Sequence, residues 1–338
     1  MCIRDSTLSE VLIRVTAAGL CHSDLHVQKG YMDLGEEGRL TFAERGAQLP
    51  MTFGHEIAGI VEAIGDKVKN VSIGQQVLVF PWIGCGDCLA CNEDRESDCS
   101  AMRIIGLKQK GGFATHCLIE NEKFLVNIDG LDAADVVPHA CSGITVYNAL
   151  EKIGSLRDGE WLALIGCGGL GLNEIAIASA MGFGNIIGID IDNSKLDAAR
   201  QMGASKTLNS KSANAVADLQ KFAESRLMAV IDTFGGESTG QLAVRALAKS
   251  GQYLLVGQAG GDFKMPQVWL PQKAMMVRGS HVGNSPQLRK LIDMVRAGKI
   301  KQMPIERRQL SEINQAVEDL EQGRVTGRIV LQPDQGKL

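Results

Sequence analysis

Residues 161–171 read WLALIGCGGLG. A strand-length apolar run passes directly into Gly166-x-Gly168-x-x-Gly171 and then into a helix-compatible stretch. With 39 glycines in the chain, the glycine spacing alone is a weak signal. Its context is stronger, because the motif sits at a strand-to-helix turn and Asp190 closes the next apolar run. Gly166 permits the tight turn, Gly168 lets a pyrophosphate approach the backbone, and Gly171 allows close helix packing. The helix start supplies free N–H groups and the positive end of the dipole. Asp190 can accept hydrogen bonds from both adenosine ribose hydroxyls and would repel a 2′-phosphate, so NAD is expected rather than NADP.

The rest of the chain frames this unit. Short β-type runs at 11–16, 57–61, 76–80 and 113–119, separated by Gly-rich and charged connections, predict an antiparallel, partly barrel-like region. From about residue 142 the texture changes. Apolar runs at 161–165, 186–191, 229–231 and 253–256 alternate with helical stretches at 172–181, 194–202 and 241–249, which predicts a doubly wound parallel sheet. Helices at 287–297 and 311–321 and a strand at 328–331 follow. Expected domains are 1–143, 144–283 as the dinucleotide-binding unit, and 284–338 returning to the first.

Nine cysteines stand among the 338 residues. Four cluster as Cys85-x-x-Cys88-x-x-Cys91-x7-Cys99, enough to complete a tetrahedral zinc site with no open position, so the loop is expected to be structural. An iron–sulfur cluster also takes four thiolates, but this spacing departs from the ferredoxin patterns. A zinc ribbon for nucleic acid is opposed by Glu93, Asp94, Glu96 and Asp98 and by the net charge of −4, which offers phosphates little attraction. No apolar run reaches membrane-span length and the first residues lack a signal pattern. A cytoplasmic protein with neither nucleic-acid nor membrane partners is expected.

Further cysteines and histidines are dispersed: GLCHSDLH at 19–26, FGHEIAGIVEAIG at 53–65 and HACSGITVYNAL at 139–150. Singly, each cysteine reads as a small core residue. In this order, with the four-cysteine loop, the glycine motif and the closing GRIVL, the chain resembles the zinc-containing alcohol dehydrogenases of the medium-chain dehydrogenase/reductase superfamily. The resemblance runs from about residue 11 to 331. It implies a GroES-like catalytic domain interrupted by a Rossmann domain, an NAD cofactor and two zinc ions per chain.

The resemblance makes Cys21, His55 and Cys141 the catalytic zinc ligands. It places Glu56 near that metal and makes Asp24 the acid that orients the histidine. Ser23 and His26 become a proton relay, and Trp82 a substrate-pocket wall. His22, Gly166, Gly168, Gly169, Leu170, Gly171, Asp190, Lys195, Val256 and Arg328 become cofactor contacts, His22 and Arg328 on phosphates. The implied chemistry is reversible hydride transfer from a primary or secondary alcohol to NAD, the zinc acting as Lewis acid. A homo-oligomer is implied, a tetramer before a dimer. Alternatives are a polyol or aldehyde–thiol adduct dehydrogenase of the same superfamily, or a zinc- and nucleotide-binding protein without activity.

Two stretches depart from the family. Residues 30–48 lengthen the connection between Cys21 and His55 and are expected to form a polar loop at the substrate mouth. MCIRDSTLSE replaces the usual N-terminal hairpin, which points to a truncated gene or foreign leader that leaves strand edges uncovered. His281 is expected at the surface or behind the pocket, His116 and Cys117 in a structural strand, and Cys167 as a tolerated small residue. For His139, cleft and core are both open.

Overall fold

The computed structural model describes residues 9–47 and 49–334; most of the atypical N-terminal stretch, and Gln48, lie outside them. The first region comprises β1 (Val11–Gly19), β2 (Tyr31–Asp33), β3 (Arg39–Thr41), β4 (Glu56–Ile64), β5 (Gln76–Val79), β6 (Trp82–Ile83), β7 (Arg103–Ile104), β8 (His116–Ile119) and β9 (Leu125–Asn127). The second carries β10 (Trp161–Ile165), β11 (Ile186–Asp190), β12 (Lys206–Asn209), β13 (Leu227–Asp232), β14 (Gln252–Leu255) and β15 (Met276–Gly279). The chain then returns through β16 (Ile305–Gln309) and β17 (Arg328–Gln332).

β1 shows why the first sheet forms. Val11, Ile13 and Val15 are fully buried while Leu12, Arg14 and Thr16 are half-buried, the period-two alternation of a strand with one face on a core. It pairs antiparallel with β4, β8 and β17 in a seven-stranded sheet whose main path runs β16-β17-β1-β4-β5-β9. Its register with β4 shifts at Leu12/Ile13 and Val15/Ala17, bulges of the kind that bend a sheet toward a barrel. The β17 pairing aligns Gly19 with Val330, and so draws the chain's last strand against the segment that leads into Cys21.

The second sheet is parallel, in order β12-β11-β10-β13-β14-β15. β10 is buried along its whole length, as a central strand covered on both faces must be. Leu162 and Leu164 pack into one apolar cluster; Trp161, Ala163 and Ile165 pack into another on the opposite face. Strand order reverses between β10 and β13, and ligands bind at such a switch point, beyond the carboxyl ends of the strands. The 166–171 turn stands there. Gly166 has φ +93, and a Cβ on Gly171 would lie 1.6 Å from the Gly166 carbonyl oxygen, so side chains are excluded at both positions.

Several elements differ from expectation. Residues 30–48 hold a short hairpin, β2 with β3, rather than a bare loop. β12 and β15 carry no clear apolar pattern: β15 is exposed at all four residues and is set only by its pairing with β14. The helix expected at 241–249 starts earlier, at Glu237, because Gly236 and Thr239 form a cap there. Helix Ser142–Ile153 spans the position where the sequence predicts the change of domain. Among the described residues, no helix is long and apolar enough to cross a membrane.

Candidate functional site

β1 ends at Gly19, and helix His22–Lys29 starts directly after Cys21. Asp24 organises this corner. One carboxylate oxygen accepts from the Cys21 backbone N–H at 2.9 Å, while the other accepts from Gly54 N–H at 3.3 Å. That second oxygen also lies 3.3 Å from His55 Nδ1. A single buried acid therefore caps the helix and fixes both the Cys21 and His55 segments. Cys141 arrives from a third direction, at the start of helix Ser142–Ile153. Donor atoms of Cys21, His55, Glu56 and Cys141 lie within 4.8 Å of one another, and all four residues are buried.

Their electrostatics describe a prepared cation site. Cys21 is held well below the usual thiol value, first by the Cys141 hydrogen bond and then, against burial, by Arg328 and His55. Cys141 is correspondingly raised by that shared bond and by burial. Burial pushes His55 toward its neutral form, but Asp24 and Cys21 outweigh it and lift the ring well above the ordinary imidazole value. Among the described residues, His55 Nε2 is buried without a hydrogen-bond partner. An orphaned ring nitrogen beside two thiols fits a tetrahedral zinc with one position to spare. Metal binding would displace the site's protons, as ligand deprotonation requires.

Glu56 is fully buried, and burial raises it to about 8 despite Arg328. Arg328 Nη2 lies 2.9 Å from Glu56 Oε1, and Nη1 donates to the Leu20 carbonyl at 3.1 Å. Arg328 also lines the cleft, so the residue expected on a cofactor phosphate is anchored behind the metal cluster as well.

One cleft collects most of the expected residues. Cys21, Cys141, His22, Ser23, His26 and Trp82 line it, and so do Gly168, Gly169, Leu170, Lys195, Val256 and Arg328. A Cβ built on Gly168 would meet nothing within 4 Å, leaving open space for a phosphate over the helix N-terminus. Gly166 and Asp190 line a neighbouring cavity of about 750 Å3 with Phe234 and Leu242, an apolar slot the sequence did not reveal. Asp190 accepts from Cys167 N–H at 2.7 Å and from Ile191 N–H at 2.7 Å, which fixes its carboxylate at the end of β11.

Two histidines take the places the sequence left to be decided: His139, open between cleft and core, and His281, expected at the surface or behind the pocket. His139 faces the core: it is buried, Asn173 Nδ2 lies 3.4 Å from its Nδ1, and burial lowers it to about 4. His281 is exposed, as expected, and also lines the cleft, its ring edge-on to Trp82 at 6.0 Å. Trp82 is in turn 5.8 Å from the His55 ring and donates to the Ala140 carbonyl at 3.2 Å, a wall fixed at both ends. Phe42, Arg45, Ile104, Leu107, Thr145 and Val282 complete that lobe; nothing in their local sequence marks them. His116 and Cys117 lie in β8, and Cys167 is buried.

The second cluster is local. Sulfur atoms of Cys85 and Cys91 are 3.9 Å apart, those of Cys88 and Cys91 3.5 Å, and all four thiols including Cys99 fall within the same 4.8 Å limit. Backbone N–H groups of Asp87 and Cys88 lower Cys85 to about 6. The donor set suits a closed zinc site, with every position filled by protein.

Residues 7–130 match the alcohol dehydrogenase GroES-like domain family, and residues 169–297 the zinc-binding dehydrogenase family. An NAD-dependent alcohol dehydrogenase of Sulfurisphaera tokodaii is 37% identical over 96% of this chain and 93% of its own. One of Saccharolobus solfataricus is 36% identical over 96% and 92%. The crystal structure of the alcohol dehydrogenase of Aeropyrum pernix superimposes with a TM-score of 0.88 at 28% identity, covering 97% of this chain and 93% of that one. The chain belongs to the zinc-containing alcohol dehydrogenases of the medium-chain dehydrogenase/reductase superfamily.

Proposed function

We propose that this protein oxidises primary or secondary alcohols to aldehydes or ketones with NAD+, and catalyses the reverse reduction with NADH. The observation that carries this reading is the meeting, in one cleft, of the Cys21 and Cys141 thiols with the glycine turn at 168–170. Cys21, His55 and Cys141 would hold the catalytic zinc, and Cys85, Cys88, Cys91 and Cys99 a second, structural ion. When bound, zinc supplies Lewis acidity to the alcohol oxygen and the nicotinamide accepts the hydride.

The chain's own residues provide the rest. Ser23 Oγ, 3.8 Å from Cys21 Sγ, receives the substrate proton, and half-buried His26 passes it to the cleft mouth. Burial holds His26 below the ordinary imidazole value against the raising effect of Cys21, so its ring is neutral and able to accept a proton at physiological pH. Trp82 and His281 wall the substrate lobe. His22, Lys195 and Arg328 place positive charge along the cofactor lobe. Asp190, with Phe234 and Leu242 beside it, suits an adenosine moiety without a 2′-phosphate.

The eight described cysteines form no disulfide, which supports a reducing, cytoplasmic setting. Exposed Met276 and Val277 on edge strand β15, with Val268 and Leu270 nearby in sequence, support a homo-oligomer, a tetramer by the family resemblance.

The test is a panel of alcohols and carbonyls with NAD(H) and NADP(H), beside Cys21→Ser. Activity with NAD(H) is expected, with a loss on the order of 10^3-fold in the variant, since metal polarisation is worth several kcal/mol. Undiminished turnover in the variant would overturn the metal assignment. A protein that binds two zinc ions and turns over nothing on the panel would favour a binding role.

A further inference from the structure

The hairpin within residues 30–48 does more than lengthen a connection. It leans on the dinucleotide domain: Glu36 N–H donates to Asp262 Oδ2 at 2.7 Å, Lys264 Nζ contacts Glu36 Oε1 at 2.6 Å, and a Cβ on Gly260 would lie 2.7 Å from Asp33 Cβ. Its returning segment carries Phe42 and Arg45 into the lining of the substrate lobe. Arg45 is held there by neutral groups. Nη1 donates to Met32 Sδ at 2.9 Å and the guanidinium lies 5.6 Å from the Phe42 ring centroid. The adjacent acid, Glu44, is committed elsewhere, accepting from the Thr41 N–H at 2.8 Å and the Thr41 hydroxyl at 2.7 Å.

No aspartate or glutamate lines the cleft among the described residues. His22, Lys195 and Arg328 stand on the side of the glycine turn, where cofactor phosphates need them. Arg45 has no such duty, and Trp82, Ile104, Leu107 and Val282 in the same lobe are apolar, while Thr145 and His281, whose imidazole feels the Arg45 charge, are polar. A guanidinium at the rim of a largely apolar lobe, without a carboxylate partner among the described residues, offers a bidentate site for a planar anion. We propose that Arg45 is a specificity-determining residue that recognises a carboxylate at the far end of the substrate. The protein would then prefer hydroxy acids, and the corresponding oxo acids, in which an apolar spacer separates the reacting oxygen from the carboxylate. This rests on the alcohol dehydrogenase reading above and names the substrate class for it.

The test compares 4-(hydroxymethyl)benzoate with 4-methylbenzyl alcohol, a pair differing in the terminal carboxylate, using NAD+ and the full chain. The readout is the ratio of their kcat/KM values. Arg45→Gln is expected to lower that ratio by at least about tenfold, and Arg45→Lys to restore part of it, because a charge-assisted pair is lost in the first and weakened in the second. A ratio unchanged within about twofold in Arg45→Gln would overturn the inference. If the wild type oxidises neither alcohol, the turnover ratio is not defined, and the wider panel decides the parent reading separately. The inference is then decided by titrating 4-(hydroxymethyl)benzoate against tryptophan emission of the NAD+-loaded protein. Binding weakened at least about tenfold in Arg45→Gln supports it, and equal binding overturns it.

Discussion

The two cysteine-containing clusters solve opposite problems. Cys85, Cys88, Cys91 and Cys99 lie in one short loop, Cys85 is exposed, and their four thiols leave no position for a substrate. Cys21, His55 and Cys141 come from three separate segments and are buried, and the two cysteines line a cleft. The loop needs little beyond chain proximity. The buried site needs Asp24 to hold two of its segments, Arg328 to balance Glu56, and the β1–β17 pairing to bring Arg328 there at all. A closed site of this kind contributes folding energy, whereas an open one spends its geometry on reactivity.

The first way to break this contrast is Cys88→Ser. Loss of a structural ion should cost about 4 kcal/mol of stability, read as a lower midpoint in chemical denaturation. The folded fraction should retain its kcat, opposite to the result expected for Cys21→Ser. Equal loss of kcat in the two variants would erase the distinction.

A second test sharpens the role of Asp24. Asp24→Asn should weaken zinc at the buried site by about 10–100-fold, the usual effect of removing a partner to a liganding histidine. Competition with a chromogenic chelator would measure it. The structural ion proposed for the four-cysteine loop should not respond.

The smallest effect separates two fully buried carboxylates. Among the described residues the oxygens of both lack a hydrogen-bond partner, but Glu56 has the Arg328 cation 2.9 Å away and Glu174 has no ion pair. Burial and then Asp232 raise Glu174 well above the ordinary carboxylate value. Between its unfolded value near about 4.3 and that raised value, the native state holds more protons than the unfolded chain, so stability falls as pH rises. Glu174→Gln removes this titration. Its melting temperature should decline less than the wild type's from about pH 5 to pH 8, and parallel curves would show that Glu174 is already ionised in the native state.

What could be read without coordinates was local. The glycine turn, the alternation of runs 161–256, and the four-cysteine spacing each express a periodicity or a ligand geometry within a few residues, and these set the fold class. The dispersed ligands were legible only because several motifs occurred together in family order. Strand β15 was not legible, since exposed residues carry no burial pattern and only pairing with β14 defines it.

By itself, then, the sequence determined a dinucleotide-binding α/β unit inserted in a β-rich one, a thiolate loop for a metal, and the candidate ligands Cys21, His55 and Cys141. Tertiary structure alone decided which side chains share the cleft. It turned His139 into the core and His281 toward Trp82, set Arg328 against Glu56, and folded residues 31–45 back so that Arg45 reaches the substrate lobe. The reason is range. Spacing along a strand or loop fixes neighbours through covalent geometry, whereas contacts between distant segments depend on strand pairing and core packing that no short window of sequence encodes.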